Sequence, residues 1–164
     1  MPESTTDATD DVMAAIGVAV ETGRAGDRAG ARDALERLWE TIGVDGDALH
    51  RCTVAHFLAD LQDSVTDELA WDQRALAAIT DLSDERARRY HDSLRVRAFL
   101  PSLRLNLADA HRRTGDAVEA RRHLAAAVAD LDALPDDGYG AMIRSGVARA
   151  RQALDAGSTA PLTP

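Results

Sequence analysis

The stretch from Leu103 to Leu134 constrains this chain more than any other, because it spells out one helical hairpin in full. Leu103, Leu107, Ala110 and His111 recur at intervals of three and four residues, which puts them on one helix face. After Thr114-Gly115-Asp116 comes a second set: Ala117, Ala120, Leu124, Ala127, Val128 and Leu131. Gly115 suits the left-handed residue that ends a helix, and Asp116 suits the cap that starts the next one. Small residues stand where the two helices must approach closely.

A second copy of this pattern lies near the start. A helix is predicted from Asp11 to Thr22, with Val12, Ala15, Ile16 and Ala19 on one face. The turn Gly23–Asp27 follows, then a helix carrying Ala31, Ala34, Leu35, Leu38 and Ile42 that stops near Gly43. Aligning Gly26-Asp27 on Gly115-Asp116 places Val18-Ala19 on Leu107-Ala108, Ala31 on Ala120 and Leu35 on Leu124. A middle copy is weaker. Asp45-Gly46-Asp47 supplies a turn and cap, and a helix from Ala48 to Asp63 turns Val54, Leu58, Leu61 and Val65 inward. The turn Asp63–Thr66 lacks Gly, and the next helix carries Leu69, Ala75, Leu76, Ile79 and Leu82. The expected core includes Val18, Leu35, Leu58, Leu107, Ala120 and Leu124.

Ser83-Asp84-Glu85 reads as a helix start, with a stripe of Ala87, Tyr90, Leu94 and Ala98. Pro101 then either kinks one long helix or sits in the first turn of a new one; the absence of a turn residue between Ala98 and Ser102 favours the kink. Pro135–Gly138 is a turn. A last helix, with Tyr139, Met142, Ile143, Val147, Ala150 and Leu154 on one stripe, is expected to cap the array. No segment alternates like a strand, so the class is all-α.

Composition agrees. Apolar residues make up 45% but aromatics only 4%, which suits helix-on-helix packing. A chain of 164 residues is expected to form one domain, over residues 11–155, between disordered tails 1–10 and 156–164. A net charge of −9 argues against a nucleic-acid binder. The charge is uneven: residues 83–123 carry 10 Arg against 6 acidic residues. That basic segment reads as a solvated face pairing with the acidic first half, with an anionic partner surface as the alternative. Cys52 is the only cysteine, so no internal disulfide can form. An acidic N-terminus unlike a signal peptide and the lack of an apolar run of ~20 residues point to the cytoplasm rather than a membrane. All basic residues are Arg, and the Ala, Asp and Arg usage resembles that of high-GC actinobacteria.

The hairpin resembles a tetratricopeptide repeat, a helix–turn–helix of about 34 residues. Leu107-Ala108 stands where that pattern has Leu-Gly, and His111 stands at its Tyr. Gly115-Asp116 is the turn, followed by Ala120, Leu124 and Ala127. Arg104 replaces the early Trp. The resemblance implies a right-handed superhelix of antiparallel helical hairpins, with a concave groove lined by the first helix of each. Groove positions carried over through the turn alignment are Ile16, Val20 and Arg24, then Cys52, Thr53, His56 and Asp60, then Leu105, Asn106, Asp109, Arg112 and Arg113. Asn106 matches a position where the family uses Asn to hold a peptide carboxylate, but that clamp's lysines have no counterpart in a chain without Lys.

Cys52, His56 and Asp60 recur every four residues on one helix face, directed away from Val54, Leu58 and Leu61. Such a set can bind a transition metal, although the paired Cys/His spacing of zinc sites is missing. The acidic run Asp60, Asp63, Asp67, Glu68 and Asp72 reads as a solvated patch, since it lacks a calcium-loop pattern. Trp39 and Trp71 read as packing. No catalytic motif occurs. The expected function is therefore a non-catalytic adaptor that binds another protein or peptide, with no cofactor, metal, nucleic acid or membrane. The alternatives are a small-molecule or metal-binding protein centred on Cys52, His56 and Asp60, and a sensory partner of a transcription regulator.

Overall fold

The computed structural model describes residues 10–90 and 96–163, with the side chains of Ala87, Arg89 and Tyr90 left out. Expectations for residues 1–9, for Ala87, Tyr90 and Leu94, and for Arg89 fall outside the described residues. The described chain is helical throughout and contains no strand: α1 (Asp11–Arg24), α2 (Arg28–Ile42), α3 (Ala48–Asp60), α4 (Val65–Ile79), α5 (Asp84–Tyr90), α6 (Val96–Arg113), α7 (Ala117–Ala129) and α8 (Gly138–Asp155), with a short 3₁₀ turn at Leu131–Ala133. Among the described residues no helix is long and apolar enough to cross a membrane.

The helices pack as neighbours: α1 on α2, α3 on α4, and α6 on α7. Further contacts join α2 to α3 and α4 to α6, and set α8 against both α6 and α7. The two turns read as copies have the same geometry. Gly26 and Gly115 have φ of 106° and 88°, the left-handed region that favours glycine. In each, the following Asp N–H reaches back to a carbonyl five residues earlier, Asp27 to Thr22 at 3.2 Å and Asp116 to His111 at 2.9 Å. That is the Schellman ending of a helix. Each Asp then accepts from the backbone N–H three residues on, at Gly30 and Glu119, and so caps the next helix.

Three apolar clusters follow the contact order. Ile16, Ala19 and Leu35 pack with Val54 and Leu58 of α3. Leu49, Cys52 and Ala55 on the other side of α3 pack with Ala75, Ile79 and Leu103. Ala108, Ala120, Leu124, Val147 and Leu154 form the third. Full burial of a leucine such as Leu35, Leu58 or Leu107 stabilises the fold by about 1.5–3 kcal/mol. Trp39 and Trp71 are half-buried and meet edge to face, with ring centroids 5.2 Å apart.

The expectations for Val18 and Asp72 need correction. Val18 is 69% exposed, whereas its equivalent Leu107 is buried: α6 has α4 to pack on, and no described element precedes α1. Cys52 lies on the opposite side of α3 from Val54 and Leu58, as expected, and is buried there in the cluster with Ala75 and Leu103. Asp72 is 1% exposed and so does not belong to a solvated acidic patch. Pro101 lies in the second turn of α6, so of the two readings the first-turn one is excluded and the favoured one, a proline inside a helix, stands. The C-terminal residues, read from composition as a tail, lie against the helices. The buried guanidinium of Arg112 donates to the carbonyls of Ser158 at 2.6 Å and Ala160 at 2.7 Å. Leu162 packs on the third cluster.

Candidate ligand-binding groove

Four helices that are not consecutive in the chain, α1, α3, α6 and α8, together enclose a cavity of about 290 Å³. Its walls are largely apolar, with Met13, Phe57, Phe99 and Leu103, and Tyr139 stands at the α8 side. Cys52, Thr53, His56 and Ser102 supply the polar atoms. The Thr53 hydroxyl is already committed to the Leu49 carbonyl at 2.7 Å. Burial pushes the Cys52 thiol up to about 12, so it stays protonated and is a poor nucleophile or metal ligand. Burial lowers His56 below its ordinary value, with Asp60 pulling it partly back, and the ring is neutral at pH 7.

His56 connects this cavity to a polar cluster between α3, α4 and α6. Its Nδ1 lies 3.4 Å from the Asn106 side-chain amide. Two helical turns on from Asn106, Arg113 donates to Asp109 at 2.8 Å and pairs with Glu68 of α4. Asp72, one turn beyond Glu68, is buried with neither carboxylate oxygen in a hydrogen bond. Burial, with Glu68 and Asp60 nearby, pushes its carboxyl up to about 8, although Asn106 and Arg113 pull the other way. A buried carboxyl without a partner is costly, and groups perturbed in this way gather at functional sites.

Of the groove residues expected from sequence, His56 and Asn106 do meet across α3 and α6, and Asp109 and Arg113 stand beside them. Cys52 shares the cavity with His56. Arg24 and Asp60 line a different one, of about 240 Å³, between α1, α2 and α3. Arg112 turns away to hold the C-terminal segment. The donors of Cys52, His56 and Asp60 are not gathered within 4.8 Å of one another, so the proposed metal set does not converge. Sequence reasoning missed Glu68 and Asp72 as members of the cluster. The available signal was spacing: Asp72, Ala75 and Ile79 follow at three and four residues, which places an acid on the core stripe of α4.

The basic segment is largely spent on internal pairs. Arg86 bonds Asp47 at 2.5 Å and Asp10 at 3.1 Å, and Arg97 meets Asp130 and Asp132 at 3.1 Å. Pairing with the acidic first half was the expected reading: Arg86 and Arg113 do pair there, whereas Arg97 pairs with Asp130 and Asp132 further along the chain.

No family model matches this chain, and no match to it was found among curated proteins or solved structures.

Proposed function

We propose that the protein is a non-catalytic binder of an extended peptide or protein segment, built as a tetratricopeptide-like array of hairpins in which α8 caps the last pair. The observation that carries this reading is the cavity shared by α1, α3, α6 and α8, the helices that line the concave side in such an array. Its apolar walls suit one large aliphatic or aromatic side chain of the bound segment. Asn106 and His56 at its edge suit the peptide backbone, which needs both donors and acceptors. The neutral thiol of Cys52 and the neutral ring of His56 suit binding more than chemistry.

Thr53→Phe tests this. Residue 53 is half-buried at the cavity wall, so the added ring fills the cavity without entering the packed interior. Peptides selected from a random displayed library against the wild-type protein should share one large apolar residue. Fluorescence anisotropy should show them at least tenfold weaker on Thr53→Phe, with the melting temperature unchanged. Selected peptides without such a residue, or equal affinity for the two proteins, would overturn the reading.

A further inference from the structure

Away from the groove, the α6–α7 turn brings two histidines and a glutamate together. His111 closes α6, and Glu119 and His123 stand one turn apart on α7. Both histidines are buried, at 8% and 5% exposure. The rings lie nearly parallel, 10° apart, with centroids separated by 5.3 Å. One donor atom from each of the three residues lies within 4.8 Å of the other two, and among the described residues they are the only such set. Sequence spacing assigned His111 to packing, at the Tyr position of the repeat, and His123 no role.

We propose that His111, Glu119 and His123 form a site for a first-row divalent transition ion, zinc being the best fit. Two imidazoles and a carboxylate are a donor set that zinc takes with a fourth position left to water. Zinc binds nitrogen at about 2.0–2.1 Å, which puts its donors at most about 4 Å apart, so the set closes by roughly an ångström. Since the rings now lie nearly parallel, binding requires one imidazole to turn about its Cβ–Cγ bond so that both lone pairs face the ion. Asp116 Oδ2 lies 3.9 Å from His111 Nδ1. That places an outer carboxylate where metal-bound histidines commonly find one, and leaves Nε2 of His111 as the donor. His123 presents Nε2 at 3.9 Å from Glu119 Oε2.

One residue opposes the ion. Arg104 donates to His123 Nδ1 at 3.1 Å, so the neutral ring carries its proton on Nε2. An ion at Nε2 moves that proton to Nδ1, where it faces a second donor. Arg104 must then withdraw. Arg104 and the ion therefore compete for the same histidine, and Arg122, which holds Glu119 at 2.5 Å, gives up part of its pairing as well. The site is one whose affinity its own arginines hold down.

The test uses tag-free full-length protein with Zn²⁺ by titration calorimetry and Co²⁺ by visible absorption. The expected result is one ion per chain, an intense tetrahedral cobalt spectrum and a raised melting temperature. Glu119→Gln, at a half-buried position, should keep the fold and weaken binding at least tenfold, and His123→Gln should abolish it. Arg104→Gln, whose amide oxygen can accept from Nδ1–H, should bind about 10-fold more tightly. Sub-stoichiometric binding, or binding unchanged in Glu119→Gln and His123→Gln, would overturn the site. An Arg104→Gln variant no tighter than wild type would overturn the competition.

Discussion

Two sets of acidic residues in this protein, the half-buried Asp10 and Asp47 and the fully buried Asp72, are treated in opposite ways. Asp10 and Asp47 cap α1 and α3, accepting from the N–H groups of Met13 and His50. Arg86 of α5 bridges them, and His50 Nε2 lies 2.9 Å from both oxygens of Asp10. Every charge there has a partner. Burial alone would raise both carboxyls, but hydrogen bonds from His50, Arg86 and the backbone outweigh it and hold them below their ordinary value. Asp72 has the burial without the partners, and its carboxyl rises to about 8. The first group ties together the starts of α1 and α3 with α5, and is what a folding chain needs. The second is a local conflict of the kind natural folds keep near functional surfaces, and it lies one residue away from the proposed groove through Asn106.

The largest effect that separates the two groups is expected at Asp72. Its folded pKa is raised from 3.8 to about 8, so its contribution to stability is fully present below pH 4 and is lost as the pH rises to about 8. Asp72→Asn has nearly the same shape and no charge at any pH. It should stabilise the fold by about 2–4 kcal/mol at pH 7–8 and by much less near pH 4. Urea unfolding across this range checks the sign. A destabilised variant at pH 8 would mean that the carboxylate is paired after all, and the contrast would fail.

How far the sequence foretold this contrast depends on what kind of signal each residue carries. The helices, their turns and most of the core were legible, because three- and four-residue spacing and the Gly-Asp pairs act locally. Gly26 and Gly115 behave alike because the same local bonds form around each. Val18 was misplaced because its burial depends on a neighbouring helix, not on α1 itself. Cys52 was assigned to the correct side of α3, but its burial was not foreseen, because that depends on the helices packed there and not on α3 itself. The pairing of Arg86 with Asp10 and Asp47 joins residues far apart in the chain, and no spacing rule reports such a pair. The same holds for His111 and His123, which became neighbours only once the α6–α7 hairpin closed.

A smaller effect should come from removing the bridge. Arg86→Ala leaves Asp10 and Asp47 capped but takes away their shared cation. These side chains keep 17–30% exposure, so water screens the loss, and about 1–2 kcal/mol is expected at pH 7. The pH dependence has the opposite sign to that of Asp72. Carboxyls with lowered pKa contribute stability above their unfolded value near 3.8 and lose it as the pH falls through the folded value. The difference between wild type and Arg86→Ala should therefore be full at pH 7 and vanish in strong acid. A difference that persists below pH 3 would show that Arg86 acts by packing rather than charge.

The smallest effect gives the finest separation, because it asks whether Asp10 matters as a cap or as a charge. Asn is as good an N-cap as Asp, so Asp10→Asn keeps the bond from the Met13 N–H, 3.0 Å in the wild type. It loses the negative charge that faces His50 and Arg86. Asp47 still holds Arg86 through its Nε, so the guanidinium is not left without a partner. The cost should then be about 0.5–1 kcal/mol. In the Arg86→Ala background it should shrink, because the cation that Asp10 faced is already gone. Comparing the two single variants with the double variant by thermal melting measures this coupling. If Asp10→Asn costs the same in both backgrounds, Asp10 and Arg86 are merely adjacent. The ordered partnership that distinguishes this cluster from Asp72 would then rest on Asp47 and His50 alone.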